Sequence, residues 1–233
     1  MRCNICGHQA FGAQGTRQNV RCLKCSSLER TRALKLHLDR IGLPEKGDRV
    51  LHIAPEPMIS GLLKEKAGEG YKPVDIFPDL YKHVSATKFD LCVDAEKLEH
   101  DSYDYIIHSH VMEHVPCNWT MVLLFLHRAL KYSGHHVFCM PILQGCYEES
   151  LFPLSEDEAV RRFGQNDHVR RIGVSDLNKT LGMIFKGDLS RHIIGSCFSE
   201  NILDEVNVPR NQRWTLNSST IFVFGKDDAR VRV

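Results

Sequence analysis

Short apolar runs alternate with amphipathic segments along much of this chain, and the alternation predicts its architecture. Five runs have the length and apolar content of buried strands. They cover residues 49–54, 71–76, 89–94, 103–109 and 136–141. Residues 119–130 have the apolar spacing of an amphipathic helix, which Ser133-Gly134 is expected to end, and residues 220–225 form a late strand. Strands that alternate with helices favour a mainly parallel sheet with helices on both faces.

A separate helix is predicted before the first of these strands. Ser26 and Glu29 have the spacing of a capping box, in which the two side chains bind the free N–H groups at a helix start. Leu34 and Leu38 then recur at helical spacing, and Gly42 is expected to end the helix.

Four cysteines precede that helix. Cys3, Cys6, Cys22 and Cys25 form the pattern C-x2-C-x15-C-x2-C, a spacing typical of four-cysteine zinc sites. Two residues between paired cysteines let both thiolates of one tight turn bind a single tetrahedral ion. Four unrelated thiols or a redox pair are the alternatives, but redox C-x-x-C motifs usually lie in a βαβ context. We therefore predict a structural, non-catalytic zinc ribbon.

These patterns divide the chain into three parts. A zinc ribbon is predicted at residues 1–27, a connecting helix at 28–48 and the larger domain at 49–233.

Composition changes this interpretation little. A chain of 233 residues that is 42% hydrophobic and 25% charged is ordinary for a folded protein. A net charge of +1 argues against the whole chain as an electrostatic binder of nucleic acid. No apolar run has the length of a membrane span, and the N-terminus lacks the apolar stretch of a signal peptide. The nine cysteines are therefore expected to be thiols or metal ligands in a cytosolic protein.

Titratable side chains cluster where the fourth predicted strand ends. His110, Glu113 and His114 follow it directly, and open α/β sheets build their sites at such strand ends. The same residues match H-x-x-E-H, the inverted zinc-protease motif, in which two His bind zinc and Glu activates water. That mechanism needs one continuous helix, which Pro116 disfavours, so a zinc peptidase is a remote alternative.

The order of elements from residue 49 to 226 resembles the class I S-adenosylmethionine-dependent methyltransferases. The best match is residues 102–116, where a strand led by Asp104 ends in Met-Glu-His-Val. The resemblance implies an α/β, Rossmann-like, mainly parallel seven-stranded sheet and S-adenosylmethionine as cofactor. It places Asp75 at the ribose hydroxyls and Asp94 at the adenine amino group.

The first motif of that family is altered here. His52 stands at its acidic position, while Ala54 and Glu56 replace two glycines. The turn His-Ile-Ala-Pro-Glu also resembles bacterial methyltransferases that carry an N-terminal zinc ribbon. In those proteins a Gly-Gln-x-Asp-His-Val-Arg segment follows the fifth strand, as residues 164–170 do here. Glu56 is expected to face the ammonium group of the cofactor. The cofactor contacts implied are His52, Ala54, Glu56, Asp75, Asp94, Ser109 and His110.

Methyl transfer to a hydroxyl needs a general base, and His suits that role near neutral pH. The catalytic candidates are His110, His114 and His168, for each of which a structural role is equally open. Arg170 is placed either to clamp an anionic substrate or to pair with Asp167.

The resulting hypothesis is a methyltransferase that acts on the oxygen or nitrogen of a small-molecule or glycan acceptor. Ribosomal RNA is the weaker alternative because the chain is nearly neutral and lacks an aromatic and basic run. A catalytically inactive zinc-ribbon adaptor is a further alternative, since the glycine motif is weak. No membrane partner is expected, and the oligomeric state is left open.

Overall fold

The computed structural model describes residues 1–231, so the last two positions of the predicted larger domain lie outside the described residues. The strands are β1 (Phe11–Gln14), β2 (Arg17–Cys22), β3 (Val50–Ile53), β4 (Tyr71–Asp75), β5 (Thr87–Lys88), β6 (Tyr103–Ser109), β7 (Leu130–Cys139), β8 (Ile142–Leu143), β9 (Glu148–Glu149), β10 (Arg170–Gly173) and β11 (Ile221–Gly225). The α-helices are α1 (Glu29–Ile41), α2 (Pro57–Ala67), α3 (Leu91–Asp94), α4 (Trp119–Arg128), α5 (Glu156–Phe163), α6 (Leu181–Ile184), α7 (Ile194–Cys197) and α8 (Glu200–Glu205). Short 3-10 turns span Gly68–Gly70, Pro78–Leu80, Ala95–Lys97, Val174–Lys179, Leu189–His192, Arg210–Gln212 and Lys226–Asp228.

The central sheet has six strands in the order β11-β7-β6-β3-β4-β5. Neighbouring strands are parallel except for β11, which pairs with β7 in the antiparallel direction. From β3 the chain first builds outward through β4 and β5, then returns to add β6 on the other side. The strand order therefore reverses between β3 and β6, which is where open α/β sheets form a crevice at their carboxyl edge.

Helices cover both faces of this sheet. Side chains alternate along β6, so that Ile106 packs with α4 and α6 on one face, while Tyr105 and Ile107 pack with α1, α2 and α8 on the other. Burial on both faces is characteristic of parallel sheets, and it explains the nearly continuous apolar runs in the sequence. In the part of the chain that is described, no helix is long and apolar enough to cross a membrane.

The prediction of an α/β, Rossmann-like, mainly parallel sheet is confirmed, but the expected strand count is not. Six strands rather than seven form the central sheet within residues 1–231, since β8, β9 and β10 form a separate small sheet. The strand predicted at 89–94 is wrong. Asp90 accepts a hydrogen bond from the backbone N–H of Cys92 and caps helix α3, and the edge strand lies just before it. The capping hydrogen bond of Asp90 therefore favours a helix here, although the apolar run by itself indicates a strand.

Two predicted element boundaries also differ in the structure. Helix α1 begins after Leu28, and Ser26 does not cap it, because Ser26 turns in the left-handed region at φ 60°. Gly134 lies inside β7 rather than before it. A Cβ there would stand 2.9 Å from the carbonyl oxygens of Tyr103 and Asp104, so glycine allows the close approach of β6 and β7.

The expectation that all nine cysteines are thiols or metal ligands is wrong for one pair. Cys92 and Cys117 form a disulfide, with Cα atoms 5.9 Å apart. They are 25 positions apart in the sequence, and they meet because the segments after β5 and after β6 converge at the same edge of the sheet.

A buried guanidinium attaches the N-terminal ribbon to the rest of the molecule. Arg32 on α1 is fully buried and donates hydrogen bonds to the carbonyl oxygens of Val20 and Ser27, at 3.0 and 2.8 Å. It also donates to those of Val206 and Asn207, at 2.8 and 2.9 Å. One side chain thus joins the ribbon to the segment that follows α8, and no carboxylate takes part in these four hydrogen bonds.

Replacing Arg32 with Met should loosen this attachment, because four carbonyl oxygens lose their donor while the volume is roughly kept. We expect limited proteolysis to cleave the ribbon faster in Arg32→Met than in the wild type. Arg21→Met is the matched control, since Arg21 is exposed and lies in the same ribbon. Equal cleavage rates for the two variants would contradict the assignment.

Candidate functional site

A cavity of about 480 Å³ opens at the carboxyl edge of the central sheet. This volume lies within the usual range for small-molecule sites. The cavity spans the strand-order reversal, because its walls come from the ends of β3, β4 and β6 and from helix α3. Its lining residues are Ile53, Ala54, Asp75, Ile76, Phe77, Leu80, Tyr81, Phe89, Asp90, Leu91, Cys92, His110, Val111, His114, Val115, Pro116 and Asp167.

Two lining residues adopt the left-handed backbone conformation that usually requires glycine. Ala54 has φ 51° directly after β3, and His110 has φ 53° directly after β6. Such strain in a residue other than glycine is concentrated at functional sites. The turn after β3 therefore has a glycine-like backbone even though alanine stands there.

Two carboxylates face the cavity from neighbouring segments. Asp75 ends β4, and one of its oxygens accepts a hydrogen bond from the Phe77 backbone at 2.8 Å. Asp90 lines the cavity at the start of α3. Asp94, which the sequence placed at a strand end, instead ends α3 and forms an ion pair with Lys97 at 2.8 Å. Within the described residues Asp94 does not line the cavity, whereas Asp90 does. The sequence feature that could have identified Asp90 is its helix-capping position before Leu91.

Three other residues predicted to contact the cofactor lie outside the cavity lining. His52 is buried and shares a hydrogen bond of 2.9 Å with the Tyr71 hydroxyl, and burial lowers the pKa of His52 to about 3. Glu56 occupies the N-cap position of α2 without a side-chain capping hydrogen bond, and it lies 3.8 Å from the Arg30 guanidinium. Ser109 is buried at the end of β6, one residue before the cavity wall.

His110 is held at both ring nitrogens. Its Nε2 donates to the carbonyl oxygen of Ser218 at 3.0 Å, and its Nδ1 lies 3.3 Å from a carboxylate oxygen of Glu113. Burial acts against a charge here, but contacts with the Cys139 thiol and the Glu113 carboxylate raise the pKa of His110 to about 10. These contacts favour the protonated form of the imidazole at the cavity wall.

The other two candidate histidines stand against each other. The rings of His114 and His168 are nearly perpendicular, with centroids 4.7 Å apart. His114 borders the cavity and lies 3.3 Å from a carboxylate oxygen of Asp167 through Nδ1. His168 is buried behind it, and burial lowers the pKa of His168. The structure thus brings all three candidate histidines to one corner of the cavity, around Glu113.

The H-x-x-E-H segment is not helical. Residues 111–115 form a turn between β6 and α4, so the two histidines of the motif do not project from one helical face. The peptidase geometry requires that helix, and the alternative is therefore not supported.

Arg170 supports the segments that form the cavity walls and is not positioned to bind a substrate. Its guanidinium is fully buried, bonds the Glu149 carboxylate at 2.7 Å and donates to the carbonyl oxygens of Met112 and Cys117. The expectation that it clamps an anion or pairs with Asp167 is wrong, because β10 turns this side chain inward beneath the turn after β6.

The four N-terminal cysteines converge on one point. The sulfur atoms of Cys3 and Cys25 are 3.6 Å apart, those of Cys6 and Cys22 are 3.5 Å apart, and all four lie within 4.8 Å of one another. Thiolates at about 2.3 Å from a tetrahedral ion have a similar mutual spacing. The donor set and its geometry fit zinc.

Comparison with known proteins identifies the family. The model of a methyltransferase domain matches residues 30–181, well over half of the chain. The chain belongs to this methyltransferase family. The expected class, an S-adenosylmethionine-dependent methyltransferase, is thereby confirmed. Among curated proteins, none matches the chain.

A solved structure shares the fold of this methyltransferase. An S-adenosylmethionine-dependent methyltransferase from Mesorhizobium loti superposes with a TM-score of 0.53 at 13% identity, covering 82% of this chain and 95% of that one. A second such enzyme from Archaeoglobus fulgidus has a TM-score of 0.47 at 21% identity, covering 83% and 92%. At these identities the comparison concerns the fold alone.

Arg170→Met should destabilise the methyltransferase, because it leaves two buried carbonyl oxygens and a carboxylate without their donor. We expect the free energy of unfolding in urea to fall by roughly 3 kcal/mol. Arg161→Met is the control, since Arg161 is exposed and its pairing with Glu158 is screened by water. If Arg170→Met were as stable as this control, the buried guanidinium would not contribute to the stability of the fold.

Proposed function

We propose that the cavity binds S-adenosylmethionine and presents its methyl group to a small-molecule or glycan acceptor. The observation that carries the proposal is the position of the cavity at the strand-order reversal, with a carboxylate after β4 and a second one after β5. This is where open α/β sheets bind nucleotide-like ligands.

The lining suggests how the cofactor lies. The carboxylate of Asp75 would accept hydrogen bonds from the two ribose hydroxyls. Asp90 takes the place that the sequence assigned to Asp94 and would accept from the adenine amino group, with apolar side chains such as Phe89 and Leu91 against the ring. The methionine part would lie along the turn at Ala54, whose left-handed backbone lets it approach closely.

Methyl transfer would then occur at the His110 and His114 side of the cavity. S-adenosylmethionine bound there would supply the methyl group and keep the electron pair of the broken S–CH3 bond as its sulfur becomes neutral. The acceptor would give up its proton to water or to a base on this side of the cavity. Positioning and exclusion of water supply much of the rate in such a displacement. Of the three candidate histidines, His110 and His114 line the cavity, and Nε2 of His110 is engaged by the Ser218 carbonyl oxygen.

A small acceptor suits the dimensions of the site better than RNA. The cavity has to hold the cofactor within about 480 Å³, and its walls are mainly apolar, with carboxylates as the charged groups besides histidine. The carboxylates of the lining would repel a phosphate backbone. An oxygen or nitrogen of a neutral or cationic metabolite, or of a sugar, meets no such repulsion.

Loss of one carboxylate should weaken cofactor binding measurably. We expect Asp75→Ala to raise the Kd for S-adenosylhomocysteine, the product that does not turn over, at least about tenfold, which is about 1.4 kcal/mol. Calorimetric titration measures it. Asp79→Ala is the matched control, because Asp79 is an exposed neighbour outside the cavity lining. Unchanged affinity in Asp75→Ala, or no binding by the wild type, would contradict the proposed cofactor site.

The ribbon is proposed to hold one structural zinc ion. In this division residues 1–27 form the zinc ribbon, residues 28–48 contain the connecting helix, and the methyltransferase domain begins at residue 49. Four thiolates close the coordination sphere, so the ion has no open position for chemistry.

A double substitution of Cys6 and Cys25 by Ser should remove one zinc per chain relative to the wild type. Elemental analysis of the purified protein measures this difference. Cys146→Ser is the control, since Cys146 is a free, exposed thiol outside the ribbon. Equal zinc content in the double variant and the control would rule out the four-cysteine site.

A further inference from the structure

The carboxylate of Glu113 is buried without a hydrogen bond. The residue has no exposed surface, and within residues 1–231 neither of its oxygens has a partner in hydrogen-bonding geometry. The ring of His110 lies 3.3 Å away, close enough for an ion pair but outside that geometry. A carboxylate withdrawn from water is usually paired and fully hydrogen-bonded, or it binds a metal ion.

Two imidazoles meet this carboxylate. Nε2 of His114 lies 3.9 Å from a Glu113 oxygen, and ligand atoms of Glu113, His114 and His168 all lie within 4.8 Å of one another. Two ligand atoms each about 2.1 Å from a tetrahedral ion are about 3.4 Å apart. The Glu113 and His114 atoms would have to approach by about half an ångström, and the widest pair of the three by up to about 1.4 Å, for a single ion to bind all of them.

The surroundings orient the His114 ring as metal ligands are oriented. Nδ1 of His114 donates to the backbone carbonyl oxygen of Asp167 at 3.3 Å, which directs Nε2 towards Glu113. Histidine ligands of metals characteristically donate their second ring N–H to a carboxylate or a backbone carbonyl.

We propose that Glu113, His114 and His168 bind a divalent transition-metal ion at the cavity wall. Two imidazoles with one carboxylate suit zinc and neighbouring first-row ions, and three protein ligands leave coordination positions open. The ligand set differs from that of the H-x-x-E-H motif, because Nε2 of His110 is engaged by the Ser218 carbonyl. His168, 54 positions beyond His114, supplies the third ligand instead.

A catalytic role of this ion depends on the proposed function, whereas the binding of the ion to these three residues does not. His114 and Asp167 line the same cavity, so an open coordination position there can hold an acceptor hydroxyl beside the methyl donor. The ion lowers the pKa of that hydroxyl. Its proton passes to water, the oxygen forms the bond to the methyl carbon, and the sulfur keeps the electron pair of the broken bond.

The test is a calorimetric titration of Zn²⁺ into protein isolated with its four-cysteine site filled. Wild-type protein should bind one further Zn²⁺ per chain, while Glu113→Gln and His114→Ala should lose that ion. Asp167→Asn should keep it, because the backbone carbonyl oxygen of residue 167 still accepts from Nδ1 of His114. His100→Ala is the control, because His100 is exposed and lies outside the cluster.

The difference of one Zn²⁺ between wild type and Glu113→Gln decides the proposal. Equal stoichiometry in wild type, Glu113→Gln and His114→Ala would overturn it and leave the cluster as an anchor for the loop before β10. Titration of each variant with S-adenosylhomocysteine tests the cofactor site separately. A wild type that binds the extra ion but not S-adenosylhomocysteine would refute the proposed methyl donor site and retain the metal site.

Discussion

The walls of the site depend on one buried cation. Arg170 lies beneath the turn after β6 and joins Glu149 of β9 to the carbonyl oxygens of Met112 and Cys117. In the same place the backbone N–H of Val169 donates to the carbonyl oxygen of Glu113 at 2.9 Å. The small sheet that follows β7 is thereby fixed to the end of β6. Without this junction the segment that carries Asp167 and His168 would have no defined position relative to the strand ends.

The rest of the site follows from the topology of the parallel sheet. Because β3, β4 and β6 run in the same direction, residues that directly follow them arrive at one edge, although they are widely separated in the sequence. The left-handed turns at Ala54 and His110 then direct the chain around the mouth of the cavity. Nδ1 of His110 faces the buried carboxylate of Glu113 at 3.3 Å, beside the cavity.

Much of the fold was predictable from local patterns, and the failures have local causes. The strands at β3, β4, β6 and β11 were recognisable because burial on both faces requires continuous apolar residues. The segment at residues 89–94 is equally apolar, yet the Asp90 cap makes it a helix. As a result the cavity presents Asp90 rather than Asp94. The four-cysteine spacing was readable because both pairs are contained in tight turns that need no distant partner.

The sequence by itself determined the class of fold, the cysteine ribbon and the position of the titratable cluster after the fourth central strand. Those features depend on periodicity and spacing over short stretches, which a chain displays without folding. Tertiary structure alone decided which side chains share a space. Arg170 turned out to be a buried support, Cys92 met Cys117, and His168 came to face Glu113. Each of these outcomes joins segments distant in sequence, and the direction of a side chain at such a junction is set by packing rather than by local pattern.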